Sequence, residues 1–277
     1  MILVTGATGN IGRALLNELQ NRGAGPFRGL TRDIARAGFP AAVEAVEGDM
    51  GRPGSLTPAL EGVRSLFLVP GMGPDAEILD LARRAGVEHV VLVSSMTVQS
   101  HPHLGPAAAN LAVERALKDN GMAWTVLRPT QFASNALWWA EAIRERRPVR
   151  VPYADVGLPA IHPADIASVA RAALTEPVHR GQTHALTGPR RITPRQQLEA
   201  VARELGREVP FVEISREEAH RDMAAFLGDE VAAAILDITG GDVNEELLTV
   251  RDTVAQVSGA PARTFGQWVR ENADAFR

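Results

Sequence analysis

The sequence predicts an α/β fold, with a doubly wound parallel sheet followed by a smaller, mostly helical C-terminal lobe. Three observations predict it. The chain opens on a strand, a glycine turn and a helix, MILVTGATGNIGR. Short apolar runs then alternate with helical patterns as far as residue 130. Beyond that point the alternation loosens and helical patterns dominate. Strands that alternate with helices pair in parallel, because each return crosses the sheet through a helix.

Ile2-Leu3-Val4 is too short for a helix and suits a buried strand. Ile11, Ala14, Leu15 and Leu19 share one face of a helix that Gly23 ends. Pro26 to Thr31 reads as a second strand and Val43 to Asp49 as a third. Ser55 to Leu60 is a short helix, and Ser65 to Val69 a fourth strand closed by Pro70 and Gly71-Met72-Gly73. A helix runs from near Asp75 to Gly86, and His89 to Val93 is a fifth strand closed by Ser94-Ser95. Leu111 to Leu117 belongs to a helix ended by Asn120-Gly121, and Trp124 to Leu127 is a sixth strand stopped by Arg128-Pro129. Phe132 to Arg147 looks helical, and Val149 to Tyr153 is a brief strand. His162-Pro163-Ala164-Asp165 opens a helix to Leu174, with proline in the first turn and an acid at the positive end. Thr183 to Thr187 is a strand, Thr193-Pro194 starts a helix ended by Gly206, and Val209 to Ile214 is a strand. The remainder is helical, with Phe265, Trp268, Val269 and Phe276 as the last apolar stripe. Residues 1–130 plus 161–188 are expected to form a dinucleotide-binding unit, and 131–160 plus 189–277 a substrate-side lobe.

The glycines at 6, 9 and 12 lie between the first strand and its helix. Glycine lets the backbone turn tightly and approach a ligand, and the free N–H groups of the helix's first turn face an anion. That context points to a nucleotide site. A preference for a free ribose 2′-hydroxyl puts an acidic side chain about 20 residues after the glycines. Here the second strand ends at Thr31-Arg32, with Arg28 nearby. A guanidinium fork suits a 2′-phosphate, so NADPH is expected over NADH.

Bulk properties narrow the classes. With 277 residues and 45% hydrophobic content the chain can bury a sizeable core. A net charge of -4 without a basic stripe argues against nucleic acid as a partner. No cysteine is present, so disulfides, thiolate metal sites and cysteine nucleophiles are excluded and a reducing compartment fits. No apolar run approaches the roughly 20 residues of a membrane span, and a strand at the first residue leaves no room for a signal peptide. A cytoplasmic location, no membrane partner and a monomer or homodimer are the expectations.

The chain resembles the NmrA-like branch of the atypical short-chain dehydrogenase/reductases. The resemblance rests on Thr5 to Gly12, Leu30 to Asp33, Gly48-Asp49, Val93 to Ser95, Leu127 to Pro129, His162 to Ala167 and Leu186 to Pro189, in the family's order along nearly the whole chain. It implies a Rossmann fold and either NADPH-dependent quinone or ketone reduction or dinucleotide sensing without turnover. It also implies a cofactor shell of Gly6, Thr8, Gly9, Asn10, Ile11, Gly12, Arg32, Asp49, Met50, Val69 and Ser94, with Asp49 and Met50 flanking adenine.

One departure matters. Catalytic members of the wider superfamily carry Tyr-x-x-x-Lys on the helix after the fifth strand. Counting back from Trp124 puts the lysine's place at Asn110 and the tyrosine's at Pro106. The only tyrosine is Tyr153, and the only lysine, Lys118, precedes it. Hydride addition to an isolated ketone makes an alkoxide with a pKa near that of water, roughly 16. Addition to a quinone makes a phenolate, roughly 10. The six units correspond to about 8 kcal/mol of charge that the site need not stabilise. The reading is an NADPH-dependent reductase of a quinone or a polycyclic, phenol-conjugated ketone, with a non-catalytic NAD(P)-sensing regulator as its rival.

Candidate catalytic groups are Ser95, which with Ser94 is one of the two positions that the resemblance offers for the superfamily's serine; His101 and His103, imidazoles in the loop after the fifth strand; and Asn110, in the lysine's place. Met72, Met96, Phe132, Trp138 and Tyr153, with Trp139, are expected to line an apolar slot for a flat aromatic substrate. The H-x-H pair has no third ligand, so no metal is expected.

Overall fold

Side chains alternate across a strand, and this alternation sorts the apolar residues of the sheet into two cores. Ile2, Val4, Phe67, Val91, Val93 and Leu127 face one cluster. Leu3, Leu66, Leu68, Val90, Leu92 and Val126 face the other. Helices must therefore cover both faces. The computed structural model, which describes residues 1–277, has this arrangement.

Seven strands form the main sheet: β1 (Ile2–Val4), β2 (Phe27–Thr31), β3 (Glu44–Glu47), β4 (Ser65–Leu68), β5 (His89–Val93), β6 (Ala123–Pro129) and, after a short strand outside this sheet, β8 (Gln182–Leu186). That short strand, β7 (Val149–Val151), pairs in parallel with β9 (Phe211–Glu213) in a separate two-stranded sheet. The main sheet has the order β3-β2-β1-β4-β5-β6-β8. Every pairing in it is parallel. The order reverses between β1 and β4, and the crevice beyond the carboxyl ends at such a reversal is where ligands bind in these sheets.

The helices are α1 (Asn10–Asn21), α2 (Ile34–Ala37), α3 (Thr57–Leu60), α4 (Asp75–Arg84), α5 (Thr97–Ser100), α6 (Gly105–Asp119), α7 (Ala140–Arg144), α8 (Pro163–Thr175), α9 (Pro194–Leu205), α10 (Arg216–Leu227), α11 (Asp229–Leu236), α12 (Glu245–Leu248), α13 (Thr253–Ser258) and α14 (Phe265–Glu271). α1 packs on α8 over one face, and α4 on α6 over the other. A third apolar cluster lies in the C-terminal region, where Ala136, Ile143, Val149, Val201, Trp268 and Phe276 meet. The fold class read from the sequence is the one observed.

Two local expectations are corrected, one helix begins earlier than the residues read into it, and two short helices carry no signal in the sequence. Phe132 to Arg147 is not one helix but a 3-10 turn over Ala133–Trp139 followed by α7; a bridge from Phe132 to Ile161 ties its start to the sheet side. α6 starts at Gly105-Pro106, before Leu111, because proline in the first turn and the alanines after it favour helix although they lack apolar periodicity. α2 and α5, four residues each, are too short to show a period. The strand expected over Val149 to Tyr153 stops at Val151, where Pro152 and a left-handed Tyr153 (φ 52°) break it.

Candidate active site

The nucleotide end is made largely of backbone. Thr5 Oγ1 donates to the Phe67 carbonyl at 3.0 Å and accepts the Val69 N–H at 3.0 Å, joining the ends of β1 and β4. Gly6 turns the chain with a φ of 58°, which side chains other than glycine rarely adopt. Its carbonyl accepts the Gly9 N–H at 2.9 Å. A Cβ on Gly12 would overlap the Gly6 carbonyl and the Ala7 Cα, so only glycine lets α1 sit this close to the loop. Gly9 caps α1 without a side-chain bond, and the Arg13 N–H is the first to bond back, to the Gly9 carbonyl. The amides of Asn10, Ile11 and Gly12 precede it and point out of the helix end, a cradle for a diphosphate. Arg13, which sequence reading missed, braces this loop through Thr8 (2.9 Å) and Ala37 (3.0 Å).

A groove of about 300 Å³ continues from this loop past Thr31, Arg32, Asp49 and Met50. Arg32 is exposed at its rim. Asp33 beside it accepts the Ala35 and Arg36 amides at 2.9 and 3.3 Å and so serves as the cap of α2. Arg28 is corrected: it sits near the start of β2, held by Glu44 and by the Ala59 and Glu61 carbonyls, and faces away from the groove. The Gly51 amide, then Arg52, hold the Asp49 carboxyl below its ordinary value. Val69 packs on Gly6. Bare amides, a glycine-only close approach and an unpaired guanidinium together fit a phosphorylated dinucleotide.

Beyond β5 and β6 lies a second cavity, of about 360 Å³. Ser94, Ser95 and Met96 from the end of β5 line it together with Phe132, Trp138 and Trp139, and with Leu158, Gln197, Ile238 and Leu247 from later in the chain. The Ser94 hydroxyl donates to Glu114 at 2.6 Å, and Arg128 clamps the same carboxylate with bonds of 2.9 and 2.7 Å. Burial pushes the Glu114 carboxyl up, but the Arg128 and Ser94 hydrogen bonds and the Arg128 charge outweigh it and hold the group below its usual value. Ser94 therefore has no proton left for the cavity and offers only lone pairs. Ser95 is the reverse: its Oγ accepts the Thr97 amide (3.2 Å) and hydroxyl (2.8 Å), and its own proton stays free.

The family comparison settles the lineage. The NAD(P)H-binding family matches residues 6–177. The chain belongs to that family. It is 38% identical to a (4-alkanoyl-5-oxo-2,5-dihydrofuran-3-yl)methyl phosphate reductase of Streptomyces griseus, over 100% of this chain and 99% of that protein. It is 34% identical to an NAD(P)H azoreductase of Xenophilus azovorans, over 100% of this chain and 99% of that protein. Among solved structures, an NADPH-dependent quinone oxidoreductase of Escherichia coli complexed with NADPH superimposes with a TM-score of 0.81 at 25% identity, covering 98% of this chain and 99% of that one. The chain is thus an NAD(P)H-binding oxidoreductase of the NmrA-like, atypical short-chain dehydrogenase/reductase type.

Within this NAD(P)H-binding fold the expected substrate-side residues divide. Met96, Phe132, Trp138 and Trp139 line the cavity. Met72 lines the nucleotide groove instead, because the turn after β4 folds over Gly6. Tyr153 does not line the cavity; its ring packs on Gly240 and its hydroxyl is buried without a partner. His101 is turned inward by α5 and is 1% exposed, its ring nitrogens 2.9 Å from Ser100 Oγ and 2.7 Å from the Asp242 carbonyl. His103 is exposed outside the cavity. Asn110 donates to the Pro106 carbonyl on its own helix. Lys118 rests over the Trp124 ring and 3.7 Å from Glu114. Sequence reading missed Gln197, Ile238 and Leu247, which are contributed from far along the chain and carry no local signal.

Proposed function

We propose that the protein is an NADPH-dependent reductase that delivers hydride to a quinone or a phenol-conjugated polycyclic ketone without a side-chain acid. One observation carries the reading: no carboxylic acid, histidine, tyrosine or lysine lines the cavity. Its one charged residue, Arg150, is engaged by Asp222 at 3.1 Å and Glu218 at 3.6 Å. Bound NADPH would supply the hydride. The chain's own residues then have three tasks. Gly6, Thr8, Gly9, Asn10, Ile11 and Gly12 hold the diphosphate, Arg32 takes the 2′-phosphate, and Asp49, Met50 and Val69 flank the adenosine side. Ser94 offers an acceptor to the nicotinamide end, and Ser95 donates a hydrogen bond to the substrate. Phe132, Trp138 and Trp139 stack a flat ring and exclude water, while 131–160 plus 189–277 serve as the substrate-side lobe.

A quinone, an azo bond and an alkanoyl-butenolide share one chemical property: the charge left by added hydride spreads over a conjugated system. Such an anion needs hydrogen-bond donors, and solvent can protonate it afterwards. The neutralised Arg150 favours an uncharged acceptor over a phosphorylated one.

The test is NADPH consumption with a panel of quinones, phenol-conjugated ketones and aliphatic ketones, alongside calorimetric titration with NADPH and NADH. The expected result is turnover of the conjugated acceptors only and tighter binding of NADPH. Efficient reduction of an unconjugated aliphatic ketone would sink the proposal. Tight NADPH binding with no turnover on any acceptor would move the assignment to a sensor.

A further inference from the structure

Gln197 lies in the first turns of α9, whose start is fixed by a capping box between Thr193 and Gln196. It is 4% exposed and part of the cavity wall. Its main-chain N–H bonds to the Thr193 carbonyl at 2.9 Å. Its carboxamide makes no side-chain hydrogen bond within the chain and is open to the cavity that it lines. Two other polar groups of the lining are engaged: Thr130 donates to the Pro159 carbonyl at 2.8 Å and Ser94 to Glu114. Val151, Leu158 and Trp139 share the lining with two other carboxamides, Gln131 and Asn135, but these are half-buried and Gln197 is the buried one of the three.

A carboxamide that opens into a cavity and has no partner in the chain keeps its two donors and its acceptor for whatever enters. We propose that Gln197 is the specificity-determining anchor of this site, its Nε2–H donating to a carbonyl or hydroxyl oxygen of a flat conjugated substrate. This rests on the reductase reading for the identity of that substrate, but not for the existence of the anchor.

The experiment compares wild type with Gln197→Met, which keeps length and volume and removes the amide, and with Gln197→Leu should the first fail to fold. Three quantities are read: Tm, affinity for NADPH, and calorimetric affinity of NADP+-loaded protein for 1,4-naphthoquinone, where no hydride is available and no turnover can occur. The expected result is a Tm equal to or above that of wild type, unchanged NADPH affinity, and naphthoquinone binding weakened at least about tenfold. Naphthoquinone binding within twofold of wild type would overturn the proposal. So would a fall of several degrees in Tm, which would mean that the amide is structural, or a wild type that does not bind the quinone. Binding lost in the variant while wild type fails to turn over quinone with NADPH would uphold the anchor and refute the reductase. Turnover with an unaltered KM in the variant would do the opposite.

Discussion

The nucleotide groove and the substrate cavity lie at the same edge of one sheet and are built on opposite principles. The groove is backbone: a glycine turn, three open amides, and a rim in which Arg32 and Asp49 follow directly from β2 and β3. The cavity is side chains, gathered from the ends of β5 and β6, the 3-10 turn, α9, α10, α11 and the chain after it. Backbone sites tolerate almost no added atom and are indifferent to most side-chain chemistry. Side-chain sites tolerate substitution and change specificity when it occurs.

The contrast can be broken most severely at Gly12. Gly12→Val puts atoms where the Gly6 carbonyl lies, and NADPH affinity should fall by about 100-fold or more, equivalent to about 2.7 kcal/mol, with circular dichroism unchanged. Retained binding would show that the loop does not grip the cofactor. Arg32→Ala tests a side chain placed at the backbone site. NADPH should bind about tenfold or more weakly, as expected for loss of a charge-assisted bond, and NADH should be unaffected in the same calorimetric assay.

His89 supplies a control at the opposite end of the sheet. It begins β5, is 1% exposed, and donates from Nε2 to Thr125 Oγ1, whose own proton goes to the His179 carbonyl. Burial, then the Arg180 charge, lowers its pKa to about 4 from 6.5. Between those values the unfolded chain takes up a proton that the folded chain refuses, so stability falls as pH drops from 6.5 toward 4. The contribution at pH 5 should be about 1–2 kcal/mol, measured as the difference in pH dependence of unfolding between wild type and His89→Gln. It should leave both ligand affinities at neutral pH alone.

Trp138 is 61% exposed although it lines the cavity. Trp138→Ala should raise KM for flat acceptors about fivefold, the scale of one aromatic stack, without altering NADPH affinity. His103→Ala, outside both sites, should change kcat/KM by less than about twofold, in line with ordinary surface substitutions.

The same division decides what could be read from the sequence. The groove was legible because its residues are contiguous and each type has a backbone reason, as at Gly6 and Gly12. Even there Arg28 misled, since it lies near the start of β2, the end of the strand away from the crevice. The cavity was legible only where it follows a strand end, as at Met96 and Phe132. His101 and His103 stood out as titratable residues in the right loop, but one turn of α5 buries the first and leaves the second in solvent. Tyr153 stands out as the only tyrosine, but its ring packs on Gly240, far along the chain. Gln197 and Leu247 offered no signal, because nothing local marks a residue that meets its site through tertiary packing.

The central claim is that hydride transfer here uses no side-chain acid. Its most direct test is the single-turnover rate of 1,4-naphthoquinone reduction by NADPH-loaded protein across the pH range in which the fold is stable. The rate should be flat with pH, with a solvent deuterium isotope effect near unity. A rate that falls as pH rises through a titration, and a midpoint that shifts when Ser95 or His103 is replaced, would contradict it.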